Sequence, residues 1–438
     1  MGVPTWKTSQ GEFEENLQAL ARRRGIGEEP GGGGADSAQG AVEHIVESVR
    51  RRGDEAVLEF TERFDGCRLT PQQMRVSREE MDAAVRSIPD DLMDALSAAA
   101  QRISRFQESI LLRDPAPLDD GGRTLRLRYR PVESAGICVP GATASLASSV
   151  LMTCVPARVA GVQRIAMVTP PGPDGSVSAD RLAAAHLAGV TEVYRVSGAQ
   201  AVAALAFGTE TIRAVDFIAG PGNIFVQLAK KLVFGQVGVD MLAGPTEVVV
   251  IADRTARADW IAADLISQAE HTQGSAILIT DDEELASVAA EALDEQLTAL
   301  PQSDGVRDNL ARFGAIIVAQ DLDECVRIAD RLAPEHLAIM TTGPEQVCER
   351  IRNAGAVFVG RFTPVAVGDY IAGPSHCLPT QATARFSSGL TANTFLRSHS
   401  VIHYNGQALE ADAGRLCSIA EAEKLEGHAR SVRARLES

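Results

Sequence analysis

Residues 164–223 read RIAMVTPPGPDGSVSADRLAAAHLAGVTEVYRVSGAQAVAALAFGTETIRAVDFIAGPGN, and this stretch decides the fold. Short β-branched runs (IAMVT, EVYRV, AVDFIA) are separated by alanine- and leucine-rich segments of helical length, with glycine at the joints. Strand–helix alternation with short connections makes neighbouring strands run the same way, so the segment reads as a parallel α/β unit. Upstream, AGICV (135–139) supplies an earlier strand, and downstream IFVQLAKKLVFG (224–235) reads as a helix. A second series of the same kind follows: EVVVIAD (247–253), AILIT (276–280), AIIVA (315–319), HLAIM (336–340) and AVFVG (356–360), with helices expected near 259–271, 282–297 and 322–332.

Outside these two units the pattern changes. Helical spacing recurs at Val42, Ile45, Val46 and Val49, and one helical stretch is expected from Ser77 to about Leu112. Residues 1–40 hold a short polar helix followed by the four glycines Gly31 to Gly34, which read as a flexible linker or exposed loop. After about residue 385 come SVIHY (400–404), strand-like, and a final charged helix, AEAEKLEGHARSVRARL. The expected class is α/β with two Rossmann-like parallel-sheet domains and helical N-terminal and C-terminal segments.

The 438 residues suffice for about three domains. With 42 Lys and Arg against 58 Asp and Glu, the net charge of −16 argues against a partner rich in phosphate, whether nucleic acid or anionic membrane. No run reaches the ~18 to 20 apolar residues of a membrane span. Seven scattered cysteines with no CxxC pair favour a reducing cytoplasm over a disulfide framework.

A GxGxxG fingerprint is absent; in Gly220-Pro221-Gly222-Asn223, Phe225 stands where the third glycine belongs. Walker A, GxSxG and HExxH are also absent. Four constellations remain. Gln268 and His271 are three apart at the end of an apolar helix and are expected on one face; alone they favour a polar helix end over a metal site. Glu335 and His336 follow Pro334 at a strand entrance, equally an acid/base pair or a capped loop. Asp369 stands beside Gly368, ahead of Gly373-Pro374-Ser375-His376, a pattern that an Asx-turn also explains. Glu423 and His428 sit five apart on the last helix, where a solvated charged face is the default. His399 and His403 read as structural.

Taken together, these blocks resemble the histidinol dehydrogenase family. The resemblance is carried by VRRRGDEAVLEFTERFDG (49–66), SSVLMTCVPARVAGV (148–162), SGAQAVAAL (197–205), AGPGNIFVQLAKK (219–231), VDMLAGPTEVVVIAD (239–253), ADLISQAEH (263–271), LAPEHLAI (332–339), VGDYIAGPSHCLPT (367–380) and ARFSSGL (384–390). It implies a cytoplasmic, zinc- and NAD-dependent oxidoreductase that converts L-histidinol through L-histidinal to L-histidine, the last step of histidine biosynthesis. By the family's motifs, one zinc per subunit is held by Gln268, His271, Asp369 and His428. His336 is the general base and Glu335 activates water. Thr246, Gln268, His271, His336, Asp369, His376, Glu423 and His428 contact substrate, and Cys138, Gln200 and Asn223 contact NAD.

The resemblance also implies a homodimer whose C-terminal segments complete each other's sites, and an inserted domain. Its boundaries fall at 41–137 with 247–385 for the first domain and 138–246 for the inserted, NAD-associated one, flanked by 1–40 and 386–438. Departures cluster in GICVPGATASLASS (136–149), where the family usually has an aromatic at Cys138, a glycine at Ala142 and Tyr-Pro at Leu146 and Ala147. Thr246 replaces a usual serine, and TANTF (391–395) is off-pattern. The other functions weighed are oxidation of another small polar alcohol on the same scaffold, a zinc hydrolase using Glu335, and a binding protein that has lost oxidation.

Overall fold

The computed structural model describes residues 2–23, 35–141, 146–271, 273–301 and 303–437. The Gly31–Gly34 linker and Ala142 lie outside them. In chain order the strands are β1 (Thr5–Lys7), β2 (Leu118–Asp120), β3 (Arg123–Pro131), β4 (Ser134–Cys138), β5 (Arg164–Thr169), β6 (Glu192–Arg195), β7 (Phe217–Ala219), β8 (Gly238–Val239), β9 (Glu247–Ala252), β10 (Ser275–Thr280), β11 (Ala315–Val318), β12 (His336–Met340), β13 (Ala356–Val359) and β14 (Leu396–Tyr404).

The chain divides into two units. The larger comprises residues 1–109 and 133–395 and holds two parallel sheets. One has five strands in the order β6-β5-β4-β7-β8; the other has six, in the order β1-β11-β10-β9-β12-β13. Central strands of a parallel sheet are covered by helices on both faces, so they read as unbroken apolar runs. Every residue of β9 (EVVVIA), β10 (SAILIT) and β12 (HLAIM) is buried accordingly. Full burial of each valine or isoleucine contributes about 1.5–3 kcal/mol.

Several expectations are corrected. Residues 2–23 are not only a polar helix and tail. Thr5–Lys7 adds an edge strand parallel to β11, and Phe13, Leu17 and Leu20 of the helix Phe13–Arg23 are buried in the core of the six-stranded sheet. The single helix expected from Ser77 to Leu112 is two, Arg78–Ser87 and Asp90–Ile110. Pro89 forces Ile88 out of the helical region, to φ −79° and ψ 149°. The helices Ala35–Arg52 and Asp54–Asp65, read above with the first domain, contribute Val42, Ile45, Val57 and Phe60 to the core of the five-stranded sheet.

The smaller unit, residues 110–132 and 396–438, holds the antiparallel sheet β14-β3-β2. Arg123 pairs there with Asp412 at 2.8 Å. The expected single terminal helix is broken into Gly406–Ala422 and Glu426–Arg433, because Lys424 adopts a left-handed φ of 60°. Glu423 therefore caps one helix, and His428 lies on the next. Among the described residues no helix is long and apolar enough to cross a membrane.

Candidate active site

Two of the cavities within the larger unit gather residues singled out in the sequence. The smaller, about 250 Å³, is lined by Thr246, Gln268, His271, Glu335, His336, Asp369 and His376, among others. Thr246 immediately precedes β9, and Glu335 immediately precedes β12, its in-register neighbour. The site thus sits at the amino ends of these strands, although open α/β sheets ordinarily bind ligands at the carboxyl ends of a switch point. At the carboxyl ends of β9 and β12 that crevice is bridged: an Asp253 carboxylate oxygen accepts the Thr342 amide at 2.7 Å.

The turn before β12 places Glu335 and His336. The helix Leu322–Leu332 ends on Ala333 in the left-handed region, and Pro334 prevents its continuation. Nδ1 of His336 lies 2.9 Å from the backbone carbonyl oxygen of Glu247. A carbonyl only accepts, so Nδ1 carries a proton, and the ring nitrogen left over is Nε2. That Nε2 is buried without a hydrogen-bond partner, 3.8 Å from Oδ1 of Asp369.

Glu335 is 7% exposed, and burial pushes its carboxyl up to about 7. The neighbouring imidazole, the Thr246 hydroxyl and the Glu247 amide all oppose that rise. Both donors act on one oxygen, Oε2, from 2.5 Å and 2.9 Å respectively. Gln268 Nε2 donates to Thr246 Oγ1 at 2.7 Å, so the hydroxyl proton is committed to Glu335. A relay from amide to hydroxyl to carboxylate results, and it leaves Gln268 Oε1 as the amide atom able to bind a cation.

The helix Ala258–Ala269 ends just before His271, with Glu270 still in the right-handed helical region, and Gln268 and His271 line the same cavity. Gly274 passes so close to the Gln268 carbonyl that a Cβ there would sit 2.0 Å from the oxygen. Asp369 lies on the short helix Val365–Tyr370, and its backbone oxygen accepts from Nδ1 of His376 at 3.0 Å. The other ring nitrogen of His376 therefore accepts the Ser149 hydroxyl at 3.1 Å, and burial depresses its basicity. Ser149 carried no signal that sequence reasoning could use, since it is one serine of a helix start.

The larger cavity, about 440 Å³, lies at the carboxyl ends of β4, β5, β6 and β7 and contains Cys138, Gln200 and Asn223. It shares Pro140 and Pro221 with the smaller one. Burial raises the Cys138 thiol to about 12, so it offers an uncharged wall. Gln200 is 1% exposed, and its amide nitrogen has no partner. Asn223 Oδ1 caps the helix Ile224–Val233 by accepting from Val226. The loop between the cavities is fixed by Lys230, fully buried, which donates to Asp240 at 2.5 Å and to the Gly220 carbonyl at 2.8 Å. Gly220, at φ 108°, is required because a Cβ would lie 2.2 Å from the Cys138 carbonyl oxygen.

Glu423 and His428 belong to the smaller unit and are both exposed. Among the described residues no three His, Cys, Asp or Glu side chains form a group arranged to hold a metal ion.

The profile of the histidinol dehydrogenase family matches residues 32–436. The histidinol dehydrogenase of Parasynechococcus marenigrum is 47% identical over 426 residues, covering 97% of this chain and 96% of its own. That of Bradyrhizobium diazoefficiens is 48% identical over 430 residues, covering 98% of each. The crystal structure of histidinol dehydrogenase from Elizabethkingia anophelis superposes with a TM-score of 0.91 at 33% identity, covering 99% of this chain and 98% of that one. Agreement of this extent, in sequence and in the course of the backbone, makes the chain a member of the histidinol dehydrogenase family.

Proposed function

We propose that the protein oxidises L-histidinol through L-histidinal to L-histidine in the cytoplasm, using zinc and two NAD+ per turnover. The observation that carries this reading is the buried, unpartnered Nε2 of His336 beside a carboxyl that burial raises to about 7 in the same cavity. In the first oxidation the alcohol proton passes to Nε2 of His336 as hydride leaves the carbinol carbon. Glu335 then takes a proton from water as the water oxygen adds to the aldehyde carbon. His336, having passed its first proton to solvent, accepts a hydroxyl proton of the resulting hydrate as the second hydride leaves, which yields the carboxylate. One alcohol and one water thus release two hydrides and three protons.

The zinc ligands of this reading are Gln268, His271 and Asp369, with His428. A set of nitrogen and oxygen donors suits zinc, and the hydrogen bond from Gln268 Nε2 to Thr246 supports ligation through the amide oxygen. Zinc bound there would anchor and orient the substrate as a Lewis acid, and NAD+ would accept the hydride. Thr246 and His376 contact the substrate, and Glu423 accepts its imidazole N–H. Cys138, Gln200 and Asn223 hold NAD+ in the larger cavity. His428 and Glu423 come from a second copy of the chain in a homodimer. The exposed apolar side chains of the smaller unit, Ile402 at 70% and Ile419 at 60%, support such a partner.

The test is stoichiometric. Purified protein given L-histidinol is expected to form two NADH per substrate, with formation abolished by a chelator and restored by zinc. A yield of one removes the second half of the reading, and a yield of none removes all of it.

A further inference from the structure

The larger cavity has an unusual charge pattern for a dinucleotide site. Among its lining residues there is one carboxylate, Asp65, and no lysine, arginine or histidine. Asp65 is the last residue of the helix Asp54–Asp65, which ends at Gly66 in the left-handed conformation. Its two carboxylate oxygens lie 2.8 and 3.0 Å from the Ser197 hydroxyl, which donates to them from just beyond the end of β6. One hydroxyl proton leaves acceptor capacity on both oxygens.

In doubly wound dinucleotide sites, a carboxylate near the end of the strand adjoining the first takes the 2′-hydroxyl of the adenosine ribose. Here the corresponding strand, β5, runs into Thr169-Pro170-Pro171 with no acid. Val168 and Pro170 from that strand end line the same cavity as Asp65. Asp65 brings a carboxylate to that cavity from a helix outside the sheet.

We propose that Asp65 is the residue that selects the dinucleotide: its carboxylate accepts the ribose 2′-hydroxyl and excludes a 2′-phosphate. A 2′-phosphate carries up to two negative charges, so it meets repulsion at Asp65 and finds no cation among the lining residues. Arg195, two residues before Ser197, is not among the lining residues, and its terminal nitrogens donate to the carbonyls of Gln73 and Arg75 and to the Glu80 carboxylate. This inference rests on reading the larger cavity as the NAD+ site.

The test is calorimetric titration of the full-length protein with NAD+, NADP+ and 2′-deoxy-NAD+. The wild type is expected to bind NAD+ about tenfold or more tightly than either analogue, the range of a hydrogen bond to a charged group. In Asp65→Ser, NAD+ weakens to the level of 2′-deoxy-NAD+, which itself is unchanged, and the preference over NADP+ collapses. Asp65→Asn keeps the volume and one acceptor oxygen; it should lose discrimination against NADP+ more than affinity for NAD+, and it serves if the serine variant does not fold. An unchanged NAD+/NADP+ ratio in the folded variants overturns the role of Asp65 and leaves the cavity assignment standing. Failure of the wild type to bind NAD+ overturns both.

Discussion

Nδ1 of His336, at the first position of β12, lies 2.9 Å from the carbonyl oxygen of Glu247, the first residue of β9. Strand pairing therefore sets the tautomer of the ring. Substitution His336→Ala is expected to remove both oxidations, by 10²–10⁴-fold each. Single-turnover measurements starting from the alcohol and from the aldehyde check this; survival of either step would reassign the base.

Glu335→Gln is expected to spare the first oxidation more than the second, because only the second consumes water. Aldehyde trapped during turnover and an NADH yield approaching one per substrate are the readouts. Equal loss of both steps would contradict separate roles.

The carboxyl of Glu335 also sets a pH profile. In the proposed role it is a base only when ionised, so the wild-type second oxidation should rise as pH increases through about 7. The stability sign is opposite. Burial holds the proton more tightly in the folded state, so stability falls as pH rises from about 4.5 to about 7. Denaturant titrations of the wild type and Glu335→Gln across that window should converge at its acid end and diverge at its neutral end.

Thr246→Val keeps the side-chain shape but removes the 2.5 Å donor to Glu335 and the acceptor of Gln268 Nε2. The acid limb of the second oxidation should move to higher pH, and Thr246→Ser should restore it. An unshifted limb in the valine variant would show that the relay does not tune the carboxyl.

Lys230→Met strands Asp240 as a buried, unpaired charge and is expected to cost about 3–5 kcal/mol of stability. Lys230→Met combined with Asp240→Leu should recover much of it. Chemical denaturation of the three variants measures the difference.

The parallel sheets were legible because strands buried on both faces spell themselves as unbroken runs, as β9 and β10 do. Thr5–Lys7 was not, since three residues at a sheet edge carry no period and Trp6 alone gives no strand signal. Pro89 marked a helix boundary that helical periodicity on either side obscured. In the site, the residue types at 268–271 and 335–336 were legible. The relay through Thr246 was not, because it joins residues 22 and 89 positions apart that only strand pairing and a helix end bring together. The C-terminal break at Lys424 had no local cue, since lysine seldom takes a positive φ.

The Asp253–Thr342 bridge has a consequence for how freely the protein can vary. On the proposed reading the chemistry is seated at the strand starts, and the loops leaving the carboxyl ends of β9 and β12 take no part in it. Extensions, tags or reporter peptides grafted at 254–257 or 342–344 should leave turnover intact. The same insertion at 333–335 or 243–246 should abolish it, which divides the six-stranded half of the molecule into an expendable rim and an unalterable one.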